Sequence, residues 1–205
     1  MRCPSYSPCL PIFLALSLSA CTDGFYPAPA QGPHVPLNLL VISLDTTRAD
    51  RLGCYGHANA VTPTMDALAA RGVVFRNAIA HAPLTLPTHA SLFTGTFPPD
   101  HGIRDNGRTS LPTSLYPMAA IYREDGFRTG AFIASVALDS TFGLDRGFEV
   151  YLDDMGPPDS RGHEPVQRRG AEVTDDAIAW LNQLGEDESF FAFVHYYDAH
   201  AKYEA

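Results

Sequence analysis

Cysteine is scarce in this chain of 205 residues: there are four, and two of them, Cys3 and Cys9, fall in the opening segment. If that segment is a removable leader, Cys21 and Cys54 remain, and a lipid on Cys21 would leave Cys54 without a partner. A disulfide-stapled scaffold is thereby excluded. Cys54, in RLGCYG, is expected to be a small buried apolar residue. The apolar run Leu10 to Ala20 is too short to cross a bilayer as a helix, which takes about 20 residues. Basic residues are also few, 14 Lys and Arg against 23 Asp and Glu, for a formal net charge of −9. That balance excludes nucleic acid as a partner, and it excludes simple electrostatic adhesion to anionic lipid. It also repels anionic substrates unless a bound cation reverses the sign locally. No internal repeat is present.

What is present begins with an export signal. Residues 1–20 carry one basic residue, Arg2, then the apolar stretch, then Leu18-Ser19-Ala20-Cys21, the shape of a bacterial lipoprotein cleavage box. The expectation is an exported lipoprotein, anchored to the membrane through lipid on Cys21 and facing the periplasm or the cell exterior. Residues 21–37 hold Pro27, Pro29, Pro33 and Pro36 and suit a tether. Residues 38–205 are left as one domain, long enough to bury a good core.

Within that domain strands and helices alternate. Leu39 to Leu44 is a continuous apolar run, which predicts a strand buried on both faces. Thr62-Pro63 opens a helix ending before Gly72, with Met65, Leu68 and Ala69 at helical spacing, and Val73 to Phe75 reads as a strand. A helix opened by Pro87 runs to Gly95, and another spans Ser114 to Asp125. Phe127 to Ala134 is a strand; Ser135 to Pro165 reads as a long loop rich in Gly, Pro and Asp. Val166 to Leu184 is an amphipathic helix, and Phe190 to Tyr196 the last strand. The pattern predicts an α/β fold with a mostly parallel sheet and helices on both faces.

Open sheets of this kind bind ligands outside the carboxyl ends of their strands. Asp45 ends the first strand, Asp198 and His200 end the last, and Thr85 opens a helix, so these residues should meet on one rim. At the positive end of a helix dipole, beside unpaired N–H groups, Thr85 has a seat for phosphate or sulfate. A hydroxyl beside a carboxylate also suits a hard divalent cation (Ca, Mg, Mn or Zn), which would make the hydroxyl a nucleophile.

The blocks NLLVISLDTTRADRLGCYG, TPTMDALAARGVVFRNAIA and TLPTHASLFTG resemble the amino-terminal half of the sulfatase family, within the alkaline-phosphatase superfamily. The likeness runs from about Leu37 to Tyr203. It implies a metal-dependent hydrolase of a sulfate or phosphate ester, with Asp45, Thr46 and Thr85 as metal ligands and Thr85 as nucleophile. Asn106, in IRDNG, matches a position that holds a substrate oxygen in several relatives. His200, in YYDAHAKYEA, resembles a His that contacts the transferred group or protonates the leaving group.

The sequence departs from the pattern Cys/Ser-x-Pro-x-Arg. It reads Thr85-Leu86-Pro87-Thr88-His89, so His89 faces the substrate in place of an Arg fork. In sulfatases that Cys or Ser is oxidised to formylglycine; a threonine would give a ketone. Thr85 therefore looks more like the nucleophile of the phosphoryl-transfer relatives. Phosphodiester hydrolysis or phosphoglycerol-type transfer is accordingly an alternative, and so is a non-catalytic lipoprotein that keeps the fold. The family's Lys and His block has no counterpart: Ile133-Ala134-Ser135-Val136 stands there. The later Asp-His pair of the family's metal site is absent too, so the expectation is a truncated, inactive chain. His57, His101, His163 and His195 read as structural or solvated, and Arg48 as an ion-pair partner.

Overall fold

The computed structural model describes residues 37–157, 162 and 166–200. The leader, the tether, Cys21 and His163 lie outside the described residues.

Four parallel strands build the sheet: β1 (Leu39–Leu44), β2 (Arg128–Phe132), β3 (Val150–Leu152) and β4 (Phe190–Tyr196), in the order β1-β4-β2-β3. The last strand thus slots between the first two, with Leu44 opposite Tyr196 and Arg128 opposite Phe190. Alternation along β4 divides the core. Phe191 and Phe193 join Ala131, Ile133, Leu39 and Val41 on one face, under helices α2 (Thr85–Thr94) and α4 (Met118–Glu124) through Leu86, Ala90, Phe93 and Ala119. Ala192 and Val194 join Phe132 and Ala134 on the other, under α5 (Gly170–Leu181) through Val173, Ala177 and Trp180. The three-layer α/β sandwich expected from the sequence is present.

Several boundaries moved, each for a physical reason. β1 is not buried on both faces: Leu40, Ile42 and Leu44 are exposed, because β1 is an edge strand and α5 packs over β2 and β4. Val73 to Phe75 forms no strand; Val73 and Phe75 face solvent and the segment has no ladder. The predicted helix 114–125 starts only at Met118, since Pro117 fixes an extended entry and disfavours helix at Tyr116. The predicted helix 166–184 starts at Gly170, because Gln167 bridges Ser135 and the N–H of Arg168 donates to the Ala134 carbonyl. β3 lies inside the stretch read as loop. α1 (Pro63–Arg71) keeps its predicted bounds, yet none of its residues is buried. Cys54 is half-buried.

Candidate active site

Asp45 follows β1 directly, and its N–H donates to the Tyr196 carbonyl, which extends the β1–β4 pairing past the strand ends. Thr85 is the first residue of α2, entered through extended Leu84, two residues earlier than Pro87 suggests. Its hydroxyl donates to Asp45 Oδ2 at 2.9 Å. Asp45, Thr46, Thr85, His89, Asn106 and His200 all line one cleft of about 420 Å³. The six residues singled out in this domain are therefore brought together, while Asp198 is not among the lining residues.

The side chains do different jobs there. Asp45 is almost fully buried, and its Oδ2 also faces His195 Nε2 at 3.3 Å. Burial alone would raise this carboxyl, but hydrogen bonds from His195 and Thr85, with the fields of His195 and His89, hold it below the ordinary carboxylate range. His195 sits in the interior of β4 with no exposed surface, and its Nδ1 has no hydrogen-bond partner among the described residues. The structural reading of His195 is thus incomplete: it is buried, and it holds the carboxylate that orients Thr85. A lone His in an apolar strand carries no sequence signal for that, although its place five residues before His200, just past the end of that strand, could have raised the question.

His89 does not stand free like the family's Arg. Its Nδ1 is 2.7 Å from the Thr85 carbonyl and its Nε2 is 2.9 Å from the Ser43 hydroxyl. A carbonyl can only accept, so Nδ1 donates and Nε2 accepts, which fixes the neutral tautomer. Burial pushes its pKa down to about 4, in agreement with that assignment. Both nitrogens are committed, and His89 acts as a brace between β1 and α2. His101 is likewise internal, between Ser91 and the Ile103 N–H, as expected of a structural histidine. Arg48 pairs with Asp50 on the surface.

The helix start is less open to an anion than predicted. The N–H of Leu86 donates to Asn106 Oδ1 at 2.9 Å, Pro87 has none, and that of Thr88 donates to the Leu84 carbonyl. Asn106 caps α2 from a loop twenty positions away, which makes it more than a turn residue. Thr46 holds a left-handed backbone, φ 55°, unusual for a β-branched side chain, and its hydroxyl donates to the Ala199 carbonyl. Asp198 turns away from the cleft and accepts the Gly170 N–H, capping α5.

The sulfatase family profile matches residues 37–205, and the chain belongs to the Sulfatase family. It is 34% identical over 136 residues to a steryl-sulfatase of Mus musculus, covering 62% of this chain and 22% of that protein. It is 27% identical over 180 residues to a Delta 4,5-hexuronate-2-O-sulfatase of Bacteroides thetaiotaomicron, covering 84% and 36%. Among solved structures, a phosphonate monoester hydrolase of Agrobacterium radiobacter shares the fold with TM-score 0.63 and 24% identity, over 80% of this chain and 41% of that one. The chain thus spans between about a fifth and two fifths of the length of these proteins.

Sulfatase family proteins are typically dependent on a divalent metal. A hard divalent ion takes about six oxygen ligands, several of them charged. Among the described residues this cleft offers one carboxylate, and no group of three or more His, Cys, Asp and Glu could hold a metal. By themselves the described residues do not fit such an ion.

Proposed function

We propose that this chain carries the nucleophile side of a hydrolase that cleaves a sulfate or phosphate ester, with Thr85 as nucleophile. The observation that carries the reading is the 2.9 Å hydrogen bond from Thr85 to Asp45, made at the rim of a parallel sheet and in one cleft with His200. Asp45 takes the hydroxyl hydrogen, so an oxygen lone pair of Thr85 is left to meet the ester. Attack forms a bond from Thr85 Oγ1 to sulfur or phosphorus as the bond to the alcohol oxygen breaks. In this reading His200, which lines the same cleft, gives that oxygen its proton. Water then releases the transferred group and frees Thr85. The names of the relatives favour sulfate esters. The threonine favours phosphate, including a phosphodiester or phosphoglycerol-type transfer, because it has no route to formylglycine. The protein works outside the cytoplasm, lipid-anchored through Cys21.

One observation favours a second reading, a non-catalytic lipoprotein with this fold: among the described residues the cleft has a single carboxylate. Orientation is not activation, and the Thr85 hydroxyl keeps an alcohol's pKa. An NMR titration separates the two. With orthovanadate and excess Mg²⁺, the hydrolase reading expects saturable shifts at the amides of Thr85, Asp45 and His200, weak (on the order of millimolar) and lost in Asp45→Asn. Shifts absent from Thr85, or unchanged in that variant, would remove the reading.

A further inference from the structure

A second cleft, of about 590 Å³, opens beside the first and shares Asn106 with it. Val136, Ala137, Phe142, Val166 and Tyr197 supply apolar surface, and Asp139 is its one charged lining residue among those described. The volume lies within the roughly 300–1,000 Å³ of small-molecule sites. Tyr197 belongs to this cleft and His200 to the first, and their rings stack with centroids 4.2 Å apart. The stacked pair and Asn106 thus belong to both clefts between them. Ser135, which is buried and also lines this cleft, hydrogen-bonds with the Tyr197 hydroxyl.

We infer that this second cleft binds the alcohol part of the ester, and that this part is an uncharged, largely apolar ring system. The inference rests on the reading of Thr85 as the group that meets the ester. A head group at Thr85 has its alcohol oxygen near His200, and the chain of that alcohol passes Asn106 into the second cleft. Phe142 and Tyr197 offer ring faces and edges, which pack aromatic or fused alicyclic rings. No Lys, Arg or His among the described residues lines the cleft to meet a further anionic group. Asp139, whose carboxylate accepts the Thr141 N–H, adds a fixed negative charge. A multiply sulfated sugar would carry its second anion into that field with no cationic partner among the described lining residues, and burying an unpaired charge is costly.

The test uses binding, so that it stands apart from turnover and from the oxyanion titration. The full chain is titrated with 1-naphthol, and separately with glucosamine 6-sulfate, while amide shifts are followed. The expected result is saturable binding of 1-naphthol with shifts at Val136, Phe142 and Tyr197. It should be at least tenfold weaker in Val136→Asp, a half-exposed position that can change without unfolding the chain, and the sulfated sugar should leave these amides unmoved. Equal or tighter binding of the sulfated sugar there, or 1-naphthol shifts elsewhere, would overturn the inference. If vanadate fails at Thr85 while 1-naphthol binds as expected, the chemistry falls and the ring site stands.

Discussion

At Asp45 a single oxygen accepts from both Thr85 and His195, so the position of the Thr85 hydroxyl depends on a histidine that never touches the cleft surface. His195→Gln keeps an amide N–H near the place of Nε2, whereas His195→Ala removes the donor and opens a cavity. The prediction is that Ala weakens vanadate binding at Thr85 by tenfold or more, and that Gln restores most of the loss at similar thermal stability. A purely structural His195 would instead show binding that follows melting temperature and no selective rescue. His89 supplies a pH dependence. Its pKa is about 4 in the folded chain and near 6.5 unfolded, so the unfolded state binds more protons between these values. Its contribution is complete above pH 6.5 and is lost as pH falls toward 4, on the order of 3 kcal/mol in all. Asp45, with a lowered carboxyl, loses stability in the same direction at lower pH. Denaturant melts from pH 7 to 4 should show this fall, and His89→Gln should flatten it. A curve equally steep in that variant would place the titration elsewhere. Thr85, Asp45 and His200 were legible in the sequence because strand ends in a parallel sheet share a rim. His195 and the capping by Asn106 were not, because each depends on a contact between distant segments that leaves no local pattern.

Among the elements, α5 shows how the ends are held. Asp198 caps it through the Gly170 N–H, and a Cβ on Gly170 would lie 2.6 Å from the Asp198 carboxylate. Asp198→Ala should cost about 1 kcal/mol, as lost helix caps do, with vanadate binding at Thr85 unchanged. A loss of that binding would instead put Asp198 in the cleft. Gly147 is stricter: its φ is 96°, and a Cβ there would stand 2.1 Å from the Ala120 backbone nitrogen, where the approach to β3 passes α4. Gly147→Ala should cost about 3 kcal/mol or more by denaturant melting; a near-neutral result would mean the α4 contact is not as drawn. The long apolar strands β1 and β4 were readable from composition alone. β3, with three residues, was not, since its pairing with β2 rather than its sequence makes it a strand. The uncovered face of β1 was missed for a similar reason: an apolar run states what could be buried, not which neighbour arrives to bury it.

At the scale of the molecule, one hydroxyl–carboxylate pair is small beside what catalysis demands. The α2 dipole contributes about 0.3–2 kcal/mol at Thr85, against the roughly 8 kcal/mol or more that a modest enzyme supplies. The lowered pKa of Asp45 makes it a weak base for an alcohol. With aryl sulfate or aryl phosphate diester and excess Mg²⁺, Mn²⁺, Ca²⁺ or Zn²⁺, this chain should hydrolyse no faster than its Thr85→Ala variant. Thr85-dependent turnover would show the pair sufficient, and a preference for aryl sulfate would overturn the phosphate argument. The fold class was readable at this scale because alternating strands and helices admit few arrangements.

The central claim is that Thr85 is the atom that meets sulfur or phosphorus. It is tested most directly by crystals of the chain grown with orthovanadate and Ca²⁺, with vanadium located by anomalous scattering. The account predicts vanadium within bonding distance of Thr85 Oγ1, its site emptied in Thr85→Ala. Vanadium bound elsewhere in the cleft, or unmoved by that substitution, would contradict it.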